Sequence, residues 1–207
     1  MSNRNEWLVL VPTEKELGFL NLDHRLRIEL CGFGPVAAAA RTAALIAKCR
    51  PSRIMLVGIA GVYDQRFDVG NAYEFSLVQS VGIGIGLGTQ HVSAEEAGWM
   101  HYSPAEIGDR LSLQCSHGES DSRLLLTVCA ACGDKADASA RTMKFPEAVA
   151  EDMEGYGVAL AGALAGIPVH VVRGISNVAG DRDHSKWQIC AALESAGELA
   201  QSIIGEG

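Results

Sequence analysis

Three short segments carry polar side chains whose types and spacing suit chemistry. Asp152-Met153-Glu154 stands just before a run of small residues, Gly155, Gly157, Ala159, Ala161, Gly162, Ala163 and Ala165. Arg173-Gly174-Ile175-Ser176-Asn177 stands just after the apolar run Pro168 to Val172, and Thr13-Glu14-Lys15-Glu16 just after Trp7 to Val11. An ionised carboxylate offers two acceptor oxygens, a hydroxyl donates and accepts, and a primary amide sets two N–H donors beside a carbonyl acceptor. A carboxylate partly removed from water at a strand end also gains basicity, enough to take a proton from a water molecule. Plain alternatives exist for each. Acidic residues favour helix starts through the helix dipole, Ser176 suits a turn, Met153 suits a core gap, and a turn glutamate is often simply solvated.

The elements around these residues alternate. Trp7–Val11, Arg27–Cys31, Arg53–Gly58, Tyr73–Val81, Leu124–Cys129 and Pro168–Val172 read as strands, whereas Pro35–Lys48, the small-residue run after Glu154, and Ser185–Ile204 read as helices. Gly166 and Pro168 stop the middle helix. The sum is one α/β layered domain over 1–207, with a polar, flexible tail at 1–5. In open α/β sheets ligands bind outside the carboxyl ends of the strands, where Glu16 and the Ser176-Asn177 pair fall. Gly82 to Gly88, with the polar stretch through Glu119, reads as the least structured part, either a family-specific surface insertion or a mobile substrate loop.

Composition removes several classes. The 207 residues are 48% hydrophobic and 20% charged, enough to bury one substantial core. A net charge of −8 without any Lys/Arg block argues against a nucleic-acid partner. Trp7–Val11 is too short for a signal-peptide core, and glycine and proline divide the long uncharged window from Gly155 to Val172, so no membrane partner and a cytoplasmic location are expected. The six cysteines are scattered, and Cys129-Ala-Ala-Cys132 lacks a second ligand pair; with the histidines equally dispersed, buried or half-buried thiols and no metal are expected. Cys31-Gly32-Phe33-Gly34-Pro35 resembles a dinucleotide-binding turn, but Met55 to Ala60 carries no carboxylate for a ribose, and no cofactor is expected.

Phe145-Pro146-Glu147-Ala148-Val149-Ala150-Glu151-Asp152-Met153-Glu154 and Arg173-Gly174-Ile175-Ser176 resemble the F-P-x-A-x-A-x-x-M-E and R-x-I-S signatures of the nucleoside phosphorylase/nucleosidase superfamily, in its methylthioadenosine/S-adenosylhomocysteine nucleosidase branch. Met-Glu-Gly with R-x-I-S-N and the tail Gly180 to Asp183 and Trp187 looks most like the futalosine hydrolases. The likeness is strongest from 145 to 190 and weak from 82 to 122. It implies a nucleoside phosphorylase-like three-layer α/β/α fold with a central mixed, twisted sheet, a small-molecule nucleoside substrate, and a homo-oligomer.

The resemblance also implies roles. Matching on the first strand makes Glu16 the catalytic base for water, with Glu14 as the fallback. Asp152 and Glu154 would bind the substrate, Glu154 accepting from the 2′- and 3′-hydroxyls, Met153 would lie under the ribose, and Ile59, Ala60 and Gly61 would form a turn that lets backbone approach the ligand. The methylthioadenosine enzymes follow the R-x-I-S serine with Asp, whereas this chain has Asn177, with Ser176 to hold its amide or the nearby backbone. An amide that donates to O6 and accepts from a protonated N7 suits a hypoxanthine-type base and clashes with adenine. The N7 proton would come from solvent or another residue, Asp181 and Asp183 being nearby in sequence. A carboxylate at the attacking position, and a central strand with no arginine beside it, favour water over phosphate as nucleophile. The alternatives are a methylthioadenosine/S-adenosylhomocysteine nucleosidase, a purine nucleoside phosphorylase, and a non-catalytic nucleoside-binding protein.

Overall fold

The computed structural model describes residues 6–116 and 122–206. The expected tail at 1–5 and the end of the polar stretch at 117–119 lie outside the described residues. The first half of the chain forms β1 (Trp7–Val11), α1 (Glu14–Leu17), β2 (Arg27–Leu30), α2 (Pro35–Cys49), β3 (Arg53–Val62), β4 (Ala72–Phe75), β5 (Leu77–Val81), β6 (Gly84–Ile85) and β7 (Val92–Ser93). The second half adds β8 (Arg110–Ser112), β9 (Leu124–Val128), α3 (Lys135–Lys144), β10 (Ala148–Asp152), α4 (Gly155–Ala165), β11 (Val169–Val178) and α5 (Ile189–Glu206).

Alternation along the strands builds the layers, because successive side chains point to opposite faces. Leu8, Leu10, Ile54 and Leu56 face one way and are covered by Ala38 and Leu45 of α2 and by Tyr156 and Val158 of α4. Trp7, Val9, Met55 and Val57 face the other way, against Ala196, Ala200, Ile203 and Ile204 of α5. The expected three-layer α/β/α sandwich with a mixed central sheet is therefore what the chain forms.

Two parallel groups make up that sheet. β2, β1, β3 and β11 run one way, and β10, β9 and β5 run parallel to each other. They meet in a short antiparallel seam, Ala150 opposite Val62 and Glu151 opposite Gly61. Because the seam joins the late residues of β3 to the late residues of β10, the carboxyl ends of both groups converge at one place.

Several expectations are corrected. Tyr73–Val81 is two strands, broken at Ser76, with β4 antiparallel to β11 and β5 parallel to β9; the apolar pattern runs through Ser76, so periodicity does not reveal the change of partner. β3 continues to Val62, so Ile59, Ala60 and Gly61 are strand residues paired with Gly174, Ile175 and Asn177 rather than a turn. Arg173 to Asn177 likewise lies inside β11. The C-terminal helix begins at Ile189, with a short turn at His184–Lys186 before it. The stretch after Gly82 is not structureless: β6 pairs β7, and β8 joins the main sheet beside β5. His101 bonds Asp109 at 2.8 Å, and Tyr156 donates to the Gly108 carbonyl at 2.5 Å, tying this excursion to α4. Of the cysteines, Cys31 and Cys132 are buried and Cys49 and Cys115 half-buried, but Cys129 and Cys190 are exposed.

Candidate active site

A cavity of about 370 Å³ opens where the two strand groups meet. Glu16, Ile59, Ala60, Gly61, Asp152, Met153, Glu154, Ser176 and Asn177 all line it. Glu14 is exposed and does not. The difference arises in one helical turn. Thr13 caps α1 by accepting from Glu16 N, and its hydroxyl donates to Glu16 Oε2 at 2.6 Å. The Ile59 amide donates to Glu16 Oε1 at 3.2 Å. This leaves Glu16 only 9% exposed, its carboxylate oriented from both sides.

Asp152 and Glu154 divide two tasks. Thr127 Oγ1 donates to Asp152 Oδ1 at 2.7 Å, and the Gly155 amide donates to Oδ2 at 2.8 Å, while the Tyr156 amide donates to Thr127 Oγ1 at 2.7 Å. Asp152 and Thr127 thus satisfy the first free amides of α4. Arg173 adds two bonds to Asp152 Oδ2, Nε at 3.0 Å and Nη2 at 2.5 Å. The helix-start reading therefore fits Asp152, whose oxygens are committed to the protein. Glu154 is held more lightly, by the Gly34 amide at 3.0 Å and Arg173 Nη2 at 3.2 Å. Burial pushes its carboxyl up to about 7, against the downward pull of the Arg173 guanidinium.

Arg173 is fully buried; burial alone would lower its pKa, but Asp152, Glu154 and Glu16 hold it above the ordinary value. Its Nη1 has no hydrogen-bond partner among the described residues. That nitrogen lies against Gly58, where an added Cβ would collide with it and stand 2.9 Å from Glu16 Oε1 and 3.2 Å from Pro12 Cδ. The expectation that no arginine stands beside the central strand is thus corrected. The guanidinium comes from β11, the neighbour of β3 in space, a relation that a search along β3 misses. Its salt bridges go to protein carboxylates.

The β11 register shifts between Ile175 and Asn177, leaving Ser176 unpaired as a bulge. Ser176 Oγ bonds the Ala60 carbonyl at 3.2 Å and Asn177 Oδ1 at 2.8 Å, holding both the backbone and the amide. Asn177 Nδ2 donates to the Val178 carbonyl at 2.9 Å. One amide hydrogen and one carbonyl lone pair remain for a ligand. Asp181 and Asp183, considered above as proton sources, do not line the cavity. Hydrogen bonds from the Asp183 amide and from Ser185 hold their carboxyls below the ordinary range.

Sequence reasoning missed three parts of the wall. Glu151 is buried and accepts from Tyr63 Oη at 2.6 Å, the Cys132 amide at 2.8 Å, Cys132 Sγ at 3.2 Å, and Arg141. This network fixes the Ala131-Cys132 backbone at the cavity, and burial followed by the Glu151 charge pushes the Cys132 thiol up to about 12. Phe33 stands out from the loop between Gly32 at φ 89° and Gly34 at φ 84°. Lys15, Arg182 and Trp187 complete the lining on the open side. The Cys-x-x-Cys spacing and the Gly-x-Gly turn mark two of these places in sequence, but neither reveals its partner. Among the described residues no three or more His, Cys, Asp or Glu side chains gather as a metal site, and no helix is long and apolar enough to cross a membrane.

No protein-family model matches the chain. It is 30% identical over 181 residues to a futalosine hydrolase of Streptomyces coelicolor, an alignment spanning 82% of this chain and 76% of that protein. Among solved structures, the native futalosine hydrolase of Helicobacter pylori superposes with a TM-score of 0.76 at 15% identity, over 97% of both chains. The 5′-methylthioadenosine/S-adenosylhomocysteine nucleosidase of the same organism, with butyl-thio-DADMe-Immucillin-A, superposes with a TM-score of 0.77 at 15% identity, over 97% of this chain and 98% of that one. At such identities the two structures establish a shared fold.

Proposed function

This chain belongs to the futalosine hydrolase family of N-ribosidic hydrolases, and from that premise we infer that it cleaves futalosine to hypoxanthine and dehypoxanthinyl futalosine, a step of menaquinone biosynthesis. The observation that carries the reading is the convergence of Glu16, Glu154 and Asn177 on one cavity. Leaving-group departure from C1′ makes the ribose an oxocarbenium-like cation. Glu154 accepts from the 2′- and 3′-hydroxyls, and those bonds strengthen as positive charge develops, lowering the barrier as well as the dissociation constant. Met153 supplies the apolar surface under the sugar.

Glu16 is the base. Its carboxylate takes a proton from the attacking water, and the uncommitted Nη1 of Arg173 is the donor that fixes that water's oxygen. Asp152 positions Arg173 and touches no substrate. At the base, a proton from solvent goes to N7 as the C1′–N9 bond breaks; the free amide hydrogen of Asn177 donates to O6 and its remaining lone pair accepts from the new N7–H, while Ser176 prevents the amide from turning over. Ile59, Ala60 and Gly61 form the backbone wall. Adenine would set a 6-amino donor against the Asn177 N–H, an unpaired contact that discriminates strongly in a polar site.

The same reading makes the protein a cytoplasmic homo-oligomer without a cofactor. The exposed apolar side chains Ile83, Ile85, Val92, Trp99 and Met100 support the subunit contact. The test is product chromatography with futalosine, methylthioadenosine and inosine, each with and without phosphate. Phosphate-independent hypoxanthine release from futalosine is expected. Adenine release refutes the Asn177 argument, phosphate dependence refutes water as nucleophile, and absence of turnover refutes the catalytic assignment.

A further inference from the structure

Every interior charge at the cavity has a partner among the described residues, and no described carboxylate makes a salt bridge to the cations at its mouth. Asp152 and Glu154 pair with Arg173, Glu151 pairs with Arg141, and Glu16 is held by Thr13 and the Ile59 amide. Lys15 and Arg182 also line the cavity, and neither makes a salt bridge among the described residues. Arg182 differs from Lys15 in being placed. Its guanidinium lies 5.0 Å from the centroid of the Trp187 ring, which is itself stacked on His184 at 4.4 Å and anchored by Nε1 donating to the Asp181 carbonyl at 3.0 Å. A guanidinium held over a ring keeps its planar fork of N–H donors available for a carboxylate.

Two aromatic surfaces accompany that fork. Trp187 is one, and Phe33, 66% exposed, is the other. Phe33 is presented rather than packed, because the loop glycines on either side of it carry positive φ values and Gly34 is bonded to Glu154. The backbone that carries Phe33 is thereby tied, through the Gly34 amide, to the carboxylate assigned to the ribose hydroxyls, and Phe33 lines the same cavity.

We propose that Arg182 is the specificity residue for the 5′ substituent: it pairs with the carboxylate of an aryl-carboxylate extension whose ring packs against Phe33 and Trp187. The proposal rests on the reading of the cavity as a nucleoside site, with Glu154 at the ribose. Futalosine carries such a 5′ group, and the new inference is which side chain selects it. Lys15, on the turn that carries Glu16, lacks any ring to hold it and is the competing candidate for the same charge.

The experiment measures kcat and KM for the wild type, Arg182→Gln and Lys15→Gln on futalosine, its carboxylate methyl ester and inosine. A charge-assisted pair lost from a half-open site is expected to raise KM for futalosine in Arg182→Gln by about 10- to 100-fold. Its kcat should stay within twofold, and both constants for the ester and for inosine should match wild type. Equal losses on all three substrates, no loss on any, or selective loss in Lys15→Gln instead each overturns the assignment. A wild type that cleaves ester and acid alike also overturns it, while leaving the nucleosidase reading intact. Should the wild type leave all three substrates intact and cleave methylthioadenosine instead, the base assignment fails by itself. Competitive inhibition by an acylbenzoate then decides on Arg182, supporting the proposal if the substitution weakens it about tenfold or more and overturning it if inhibition is absent or unchanged.

Discussion

Replacing Glu154 with Gln keeps the side chain's length and removes the charge at the ribose. A hydrogen bond to a charged group is worth about 1.5–3 kcal/mol and a neutral one about 0.5–1.5 kcal/mol. Two sugar hydroxyls therefore lose about 2–3 kcal/mol of transition-state stabilisation, which at ~1.4 kcal/mol per factor of ten lowers kcat/KM by roughly 30- to 150-fold. The same substitution has a stability signature. Because burial raises the Glu154 pKa from an ordinary 4.5 to about 7, the folded protein binds that proton more tightly than the unfolded chain. Its contribution to stability is fully present below the unfolded value and is lost as pH rises through about 7, a swing of roughly 3 kcal/mol. In Glu154→Gln the swing is absent, so the stability of the variant relative to wild type improves by that amount between acidic and mildly alkaline pH. Urea unfolding at a series of pH values, paired with kcat/KM on futalosine, measures both. A pH-independent stability difference would refute the buried-charge argument, and a variant with wild-type kcat/KM would remove Glu154 from the ribose.

Glu16→Gln is expected to lower kcat by about 10²- to 10⁴-fold with an unchanged melting temperature, whereas Glu14→Gln, outside the cavity, should stay within twofold of wild type; steady-state rates on the pair separate them. Asn177→Asp should shift the ratio of hypoxanthine to adenine release by about tenfold or more toward adenine, read by chromatography with paired inosine and adenosine substrates; an unchanged ratio removes Asn177 from base recognition. Gly58→Ala inserts a methyl group against Arg173 Nη1 and Glu16 Oε1. It should cost about 1–3 kcal/mol in unfolding free energy and lower kcat more than it raises KM. Unfolding curves and kinetics check both effects, and a variant with normal kcat would show that the space between the two side chains is not where the attacking water sits.

Much of this site is legible in the sequence because its residues sit at ends of elements, where composition changes abruptly. The switch from Glu154 to the small residues of α4, and from apolar β11 to Ser176-Asn177, marks the places, and Glu16 and Glu14, two residues apart, fall on opposite sides of one turn. What the sequence hides is pairing between distant residues. Asp152 reads as a second substrate-binding acid, yet its bonds to Arg173, Thr127 and Gly155 come from three different elements. Glu151 looks like one more acid in a signature, and only its contact with Arg141, Tyr63 and Cys132 shows it holding a wall. The bulge at Ser176 and the break at Ser76 leave no mark in periodicity, since strand partners are set by tertiary packing. Trp187 reads as the first turn of a helix because Ser185 to Ile204 holds no proline and one glycine, Gly197, well inside it, while the indole's bond to Asp181 holds it in a loop.

The seam between β3 and β10 gives the protein an uneven mechanical character. Backbone pairing between the two strand groups at that line is short, Ala150 with Val62, Glu151 with Gly61, and the Tyr63 and Asp64 amides on the Val149 carbonyl, whereas β11 follows β3 for almost its whole length. Glu16 and Asn177 ride with one group and Glu154 with the other, so the reactive geometry spans a joint that is short in backbone pairing and is bridged by Arg173 and the Gly34 amide. Turnover is therefore expected to fail at lower denaturant concentration than the far-ultraviolet signal, which would make the enzyme's own activity the earliest gauge of its unfolding.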